Sequence, residues 1–99
     1  MTENLLSVVA EMVAKPGKEE ELKRHLLVLV AETRKEEGCV QYDLHQSTVE
    51  PGRFVFYENW TSAETLDRHS KSVHITAFRS VRDQILAEPG RVRTYNRIA

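Results

Sequence analysis

Gly38-Cys39-Val40-Gln41-Tyr42-Asp43-Leu44-His45, then Glu50-Pro51-Gly52, then Arg53-Phe54-Val55-Phe56-Tyr57-Glu58-Asn59-Trp60 decide the fold. Val40, Tyr42 and Leu44 alternate with Gln41, Asp43 and His45, the period of a half-polar strand, and Pro51-Gly52 supplies a turn into the next strand. The two runs predict a β-hairpin. Directly after it, Thr61-Ser62-Ala63-Glu64 has capping-box spacing, so a helix starts there with Leu66 and His69 on one face. His74, Phe78, Val81 and Ile85 then recur at four, three and four residues, the stripe of a second short helix that stops near Pro89-Gly90. A last strand is expected from Val92 to Ile98.

Upstream of the hairpin, Leu5 to Ala14 is apolar on both parities and reads as a strand covered on two faces. Pro16-Gly17 breaks it, and Glu19, Glu20 and Glu21 place negative charge at a helix start. Leu22, Leu26, Leu29, Val30 and Thr33 recur at helical spacing, so a helix should run to about Glu37 and end at a left-handed Gly38. The order β-α-β-β-α-β is that of the ferredoxin-like split unit, an α+β fold with a four-stranded antiparallel sheet and helices on one face. Helices from one chain leave the other face bare. That face is expected to be apolar and to pack against a second copy, making a homodimer.

At 99 residues the chain is one domain whose core is small enough to gain from a partner subunit. The 14 basic and 15 acidic residues are scattered, with a net charge of -1, so nucleic acid is not an expected ligand. No run of about 18 apolar residues and no basic-then-apolar leader is present, which predicts a cytoplasmic protein without a membrane partner. Cys39 is the only cysteine and has no partner for a disulfide, a redox motif or a zinc knuckle; it reads as packing. The four glycines are far apart, so no phosphate-cradling loop supports a flavin or nicotinamide site, and no serine sits in a nucleophile elbow.

Glu58 shares its parity with Phe54, Phe56 and Trp60, a carboxylate in an apolar row that has to be paired or have a raised pKa. It is either a general base, an orienter for a histidine, or a structural partner for an Arg or His. His69 and His74 are the candidate partners and, with an ordinary pKa near 6.5, candidate bases for an acidic phenol or activated carbon acid. With Glu58 they have the composition of a non-haem iron site, but the spacing lacks a helical His-x-x-x-His or a strand His-x-Glu pair, and no metal is expected. Tyr42, Phe56, Trp60 and Phe78 are candidates for the wall of a cavity, or simply for the core. Tyr57 and Asn59 fall on the parity opposite Glu58, in an interface or at a pocket rim. Arg79, Arg82, Arg91, Arg93 and Arg97 offer charge for an anionic substrate, or are solvated.

The runs Gly38 to Leu44, Arg53 to Trp60 and His69-Ser70-Lys71-Ser72-Val73-His74 resemble the antibiotic biosynthesis monooxygenase (ABM) family over nearly the whole chain. The resemblance implies a dimeric α/β barrel and, in Glu58, Trp60, His69 and His74, the family pattern of a Glu and Trp ending the third strand with two histidines following. It also implies a small monooxygenase that converts a quinol or phenolic substrate to a quinone with O2 and no cofactor. His69 or His74 would be the base and Glu58 its orienter, with Trp60, Tyr42 and Phe56 as cavity wall and Asn59 a hydrogen-bond donor. Similar proteins that degrade haem need an Asn in the first strand and a Trp in the helix after the hairpin; neither is present here. Two rival functions stay open: an isomerase acting on a phosphorylated autoinducer-2-type signal, with arginines holding the phosphate, and a non-catalytic dimer that shelters a hydrophobic metabolite.

Overall fold

The computed structural model describes residues 5–99. Residues 1–4, read above as lacking a leader, lie outside the described residues. The elements are β1 (Leu6–Val13), α1 (Glu19–Thr33), β2 (Cys39–Gln46), β3 (Arg53–Trp60), α2 (Ala63–Ser70), α3 (Val73–Ile85) and β4 (Arg91–Asn96). The strands form one antiparallel sheet in the order β2-β3-β1-β4, the ferredoxin-like arrangement.

Residues directly opposite one another on paired strands share a face. Val8 pairs with Glu58 and Ala10 with Phe56, while Tyr42 faces Glu58 from β2, so all of these point toward the helices. Leu22, Leu26 and Leu29 of α1 and Phe78 and Ile85 of α3 meet them, and Phe54, Phe56 and Trp60 are each no more than 1% exposed. Fully burying each such side chain stabilises the fold by roughly 1.5–3 kcal/mol, so the hairpin's inner row is the main anchor of the sheet.

Four boundaries differ from the expected ones, the three helical ones for a local reason. Helix α1 ends at Thr33 rather than near Glu37, because Lys35 and Glu36 N–H donate to the carbonyls of Glu32 and Thr33 and turn the chain away. Gly38, at φ +87°, ends that turn rather than the helix, and a Cβ there would lie 2.4 Å from the Thr65 side chain. Helix α2 is capped by Ser62, not Thr61: Thr61 N–H is still tied to the Gly38 carbonyl, and Ser62 and Thr65 make the reciprocal cap. Helix α3 stops at Ile85, where Leu86 turns extended and bridges to Ala14. The last strand is Arg91–Asn96, a little earlier and shorter than expected.

A register shift between Cys39 and Gln41 places Cys39 opposite Trp60, so Val40 is the extra residue and stands 54% exposed instead of joining Tyr42 and Leu44 inside. The outer face of the sheet is also less apolar than expected. Val9, Val13, Val55, Tyr57 and Tyr95 share it with Ser7, Glu11, Gln41, Arg53, Asn59 and Arg93. Bulk hydrophobicity therefore does not by itself require this face to be covered. Among the described residues, strand β4 pairs only with β1, and all six of its residues are exposed.

Candidate functional site

A cavity of about 520 Å³ lies between the sheet and the helices, large enough for a small aromatic molecule. Val8, Ala10, Tyr42 and Phe56 form its sheet wall, Leu29, Leu66, Ile75 and Phe78 its helix wall, and Glu58 and His69 are polar groups among them. Five of the eight residues singled out from sequence thus line one space: Glu58, His69, Tyr42, Phe56 and Phe78. Tyr42 stacks on Phe56 with ring centroids 4.6 Å apart and meets His69 edge-on at 5.5 Å.

The other three lie elsewhere. Trp60 is fully buried behind the cavity wall, where its indole N–H donates to Glu58 Oε1 at 2.9 Å and its ring lies against His69 at 4.7 Å. It holds the two polar groups in place instead of forming the wall. Asn59 is on the outer face of the sheet, accepting from the Ser7 hydroxyl at 2.6 Å and donating to Gln41 Oε1 at 2.7 Å. A donor to the cavity it is not. His74 also misses the cavity lining, and its Nε2 meets Glu36 Oε2 at 2.8 Å.

Glu36 is the residue that sequence reasoning missed. The turn after α1 brings it to the end of α2, where its Oε2 also accepts from His69 Nδ1 at 2.6 Å. Glu58 was expected to orient a histidine; Glu36 does so, across 33 residues of sequence to His69 and 38 to His74. No periodicity connects a turn carboxylate to histidines so distant, and only the fold brings them together.

Burial lowers the His69 pKa below its ordinary value despite the opposing pull of the Glu36 hydrogen bond and charge, with the neighbouring His74 and Arg79 lowering it further. The ring is therefore neutral at pH 7, and its contact with Glu36 is a hydrogen bond from an uncharged imidazole. With the proton assigned to Nδ1 by that bond, Nε2 keeps its lone pair, and among the described residues it has no hydrogen-bond partner. Glu58 is only 3% exposed; burial pushes its pKa from 4.5 to about 7, against the lowering effect of the Trp60 hydrogen bond. It is poised to gain or lose a proton near neutrality. Burial raises the Tyr42 pKa, helped by the Glu58 charge, so the phenol stays protonated. The Cys39 thiol is likewise pushed up by burial, as a packing cysteine should be. Arg79 and Arg82 of α3 also reach the cavity.

An imidazole with one nitrogen anchored and the other free shares a largely apolar cavity with a carboxyl whose pKa burial raises to about 7, an arrangement that can move protons on and off a bound organic molecule. A family model described as antibiotic biosynthesis monooxygenase matches residues 5–81. The chain belongs to that family. PA3566 of Pseudomonas aeruginosa is 33% identical, with a TM-score of 0.94 over 100% of this chain and 99% of that one. Rv0793 of Mycobacterium tuberculosis, which carries the provisional name monooxygenase, is 31% identical over 84 residues, 85% of this chain and 82% of its own. Its solved structure superposes with a TM-score of 0.90 over 96% of both chains at 28% identity. The uncharacterised protein sll1783 of Synechocystis is 27% identical over 88 residues, 89% of this chain, which spans 60% of that relative's length. These likenesses support a monooxygenase-like function on a small-molecule substrate. No helix among the described residues is long and apolar enough to cross a membrane.

Proposed function

We propose that the protein is a cofactor-independent monooxygenase that converts a small phenolic or quinol-type aromatic to a quinone with O2, acting as a homodimer. The observation that carries this reading is the pairing of His69 and Glu58 on one apolar cavity, with Tyr42, Phe56 and Phe78 as flat walls. His69 Nε2 takes the phenolic proton, and Glu36 steadies the imidazolium that forms. The electron-rich phenolate carbon then reduces O2 and bonds to it as a peroxide. The imidazolium returns its proton to the peroxide, and Glu58 takes the hydrogen left on that carbon as a proton. The O–O bond breaks as hydroxide leaves and a new carbonyl forms, and Glu58 hands its proton to that hydroxide, so one oxygen atom enters the quinone and the other leaves as water. All four electrons come from the substrate.

Oxygen uptake by metal-stripped protein with a panel of naphthols, naphthoquinols and anthrones tests the reading. Uptake should exceed autoxidation and fall by about 10²- to 10⁴-fold in His69→Ala, the usual cost of losing a general base. His74→Ala, which acts only through Glu36, should lose less. Uptake equal to autoxidation, or unchanged in His69→Ala, would defeat it. Arg79 and Arg82 in the same cavity favour one second reading, proton-transfer isomerisation of a phosphorylated autoinducer-2-type signal. Protection of the fold by phosphorylated sugars, without oxygen uptake, would select it.

A further inference from the structure

We infer that Glu36, His69 and His74 form a binding site for a divalent transition-metal ion of the zinc type, on the far side of His69 from the substrate cavity. The inference goes beyond the proposed oxygenase chemistry, which does not use this ion. Two histidines and a carboxylate were discounted as ligands on sequence spacing with Glu58 as the carboxylate; the fold supplies Glu36 instead. Its Oε2, His69 Nδ1 and His74 Nε2 all lie within 4.8 Å of one another. Two of the three separations are 2.6 and 2.8 Å.

Zinc–nitrogen and zinc–oxygen bonds of about 2.0–2.2 Å at tetrahedral angles put neighbouring ligand atoms roughly 3.3–3.6 Å apart, so the two short contacts need to open by about 0.5–1 Å. Each ligand comes from a different element: the turn after α1, the last turn of α2 and the first turn of α3. The side chains are 17%, 8% and 15% exposed, so the backbone, not a mobile surface, sets their convergence. Ser72 caps α3 through Ile75 N–H, and its hydroxyl lies 3.2 Å from His74 Nε2, which limits where that ring can go. Two imidazoles and one carboxylate are the ligand set of open zinc sites, with water completing the shell. Three ligands converging in this way and mostly shielded are a site that side-chain movements of about an ångström complete.

The ion would also change the cavity. Metal on Nδ1 displaces the proton to Nε2, so His69 would face the substrate as a donor and no longer as a base. On the reading of His69 given above, bound metal switches the enzyme off. Binding itself does not depend on that reading.

Calorimetric titration of the metal-stripped, full-length protein with Zn2+, and visible absorption with Co2+ as a probe, test the site. One ion per chain is expected, with a cobalt spectrum showing nitrogen and oxygen ligands. Affinity should fall by at least about 100-fold in His74→Ala and in the isosteric Glu36→Gln, since disturbing even an outer partner of a metal ligand typically costs 10- to 100-fold. His45→Ala, on the exposed hairpin, should bind as the parent does. Thermal unfolding of Glu36→Gln checks that the variant is folded. Absence of binding in the parent, or a folded Glu36→Gln that binds as tightly, would overturn the site and leave the cluster a hydrogen-bonded network, whatever the oxygen-uptake result.

Discussion

Glu58 stands where an apolar residue would make a more stable sheet, and the cost is measurable. Its folded pKa of about 7 exceeds the ordinary 4.5, so between those values the folded chain holds a proton that the unfolded chain has lost. Stability therefore falls as pH rises from about 4.5 to about 7 and is flat above, by an amount on the order of 3 kcal/mol for a shift of this size. Glu58→Gln keeps an acceptor for the Trp60 indole but has no proton to lose. It is expected to be more stable than the parent at pH 8 by about 1–3 kcal/mol and close to it at pH 4.5, in urea unfolding at both pH values. An equal pH slope in the variant would mean that Glu58 titrates normally. Glu58's peculiarity was legible in the sequence, because a carboxylate at even parity in Phe54-Val55-Phe56-Tyr57-Glu58-Asn59-Trp60 cannot escape the core. Its partner was not legible, because a residue two positions along the same strand is hidden among the aromatics until the indole N–H is seen to reach back to it.

At the scale of elements, both strands of the hairpin, α1 and the pair of helices after Trp60 follow from periodicity, turn residues and caps. What periodicity hides is a single inserted residue. The bulge at Val40 looks like continued alternation, yet it throws Val40 outward and sets Cys39 against Trp60. The early end of α1 was equally masked, since Lys35, Glu36 and Glu37 suit a helix well enough and only hydrogen bonding shows the turn. That turn shapes the candidate site, because it brings Glu36 within hydrogen-bond reach of the two histidines. Gly38 is its pivot, with a left-handed backbone and Thr65 against its α-carbon. Gly38→Ala should destabilise the fold by roughly 2 kcal/mol or more, since strain of this kind costs on the order of 1–3 kcal/mol and the clash adds to it. Adding Thr65→Ser, which keeps the capping hydroxyl, should recover part of the loss by removing the methyl group. Denaturant midpoints of the single and double variants measure both; a neutral Gly38→Ala would show that the turn relaxes freely.

For the molecule as a whole, the exposed β4 edge and the half-apolar outer face are what remain after one chain has buried what it can. The sequence pattern points to a partner through an apolar face, and the face is mixed, because Ser7, Glu11, Gln41 and Asn59 alternate with its apolar residues. Val9, Val55 and Tyr57 still make a compact apolar centre with a polar rim, the composition of an interface more than of a bare core. Sedimentation should show a dimer, and Val9→Arg with Tyr57→Arg should shift it to monomer without unfolding it; a monomeric parent would remove the homodimer from the proposal. The chemistry is tested most directly by the fate of the oxygen atoms. When metal-stripped protein turns over a naphthol under isotopically labelled oxygen gas, one labelled atom should appear in each quinone and one in water, at a rate that collapses in His69→Ala. Quinone free of label, or label arriving at the uncatalysed rate in both proteins, would contradict monooxygenation at this cavity.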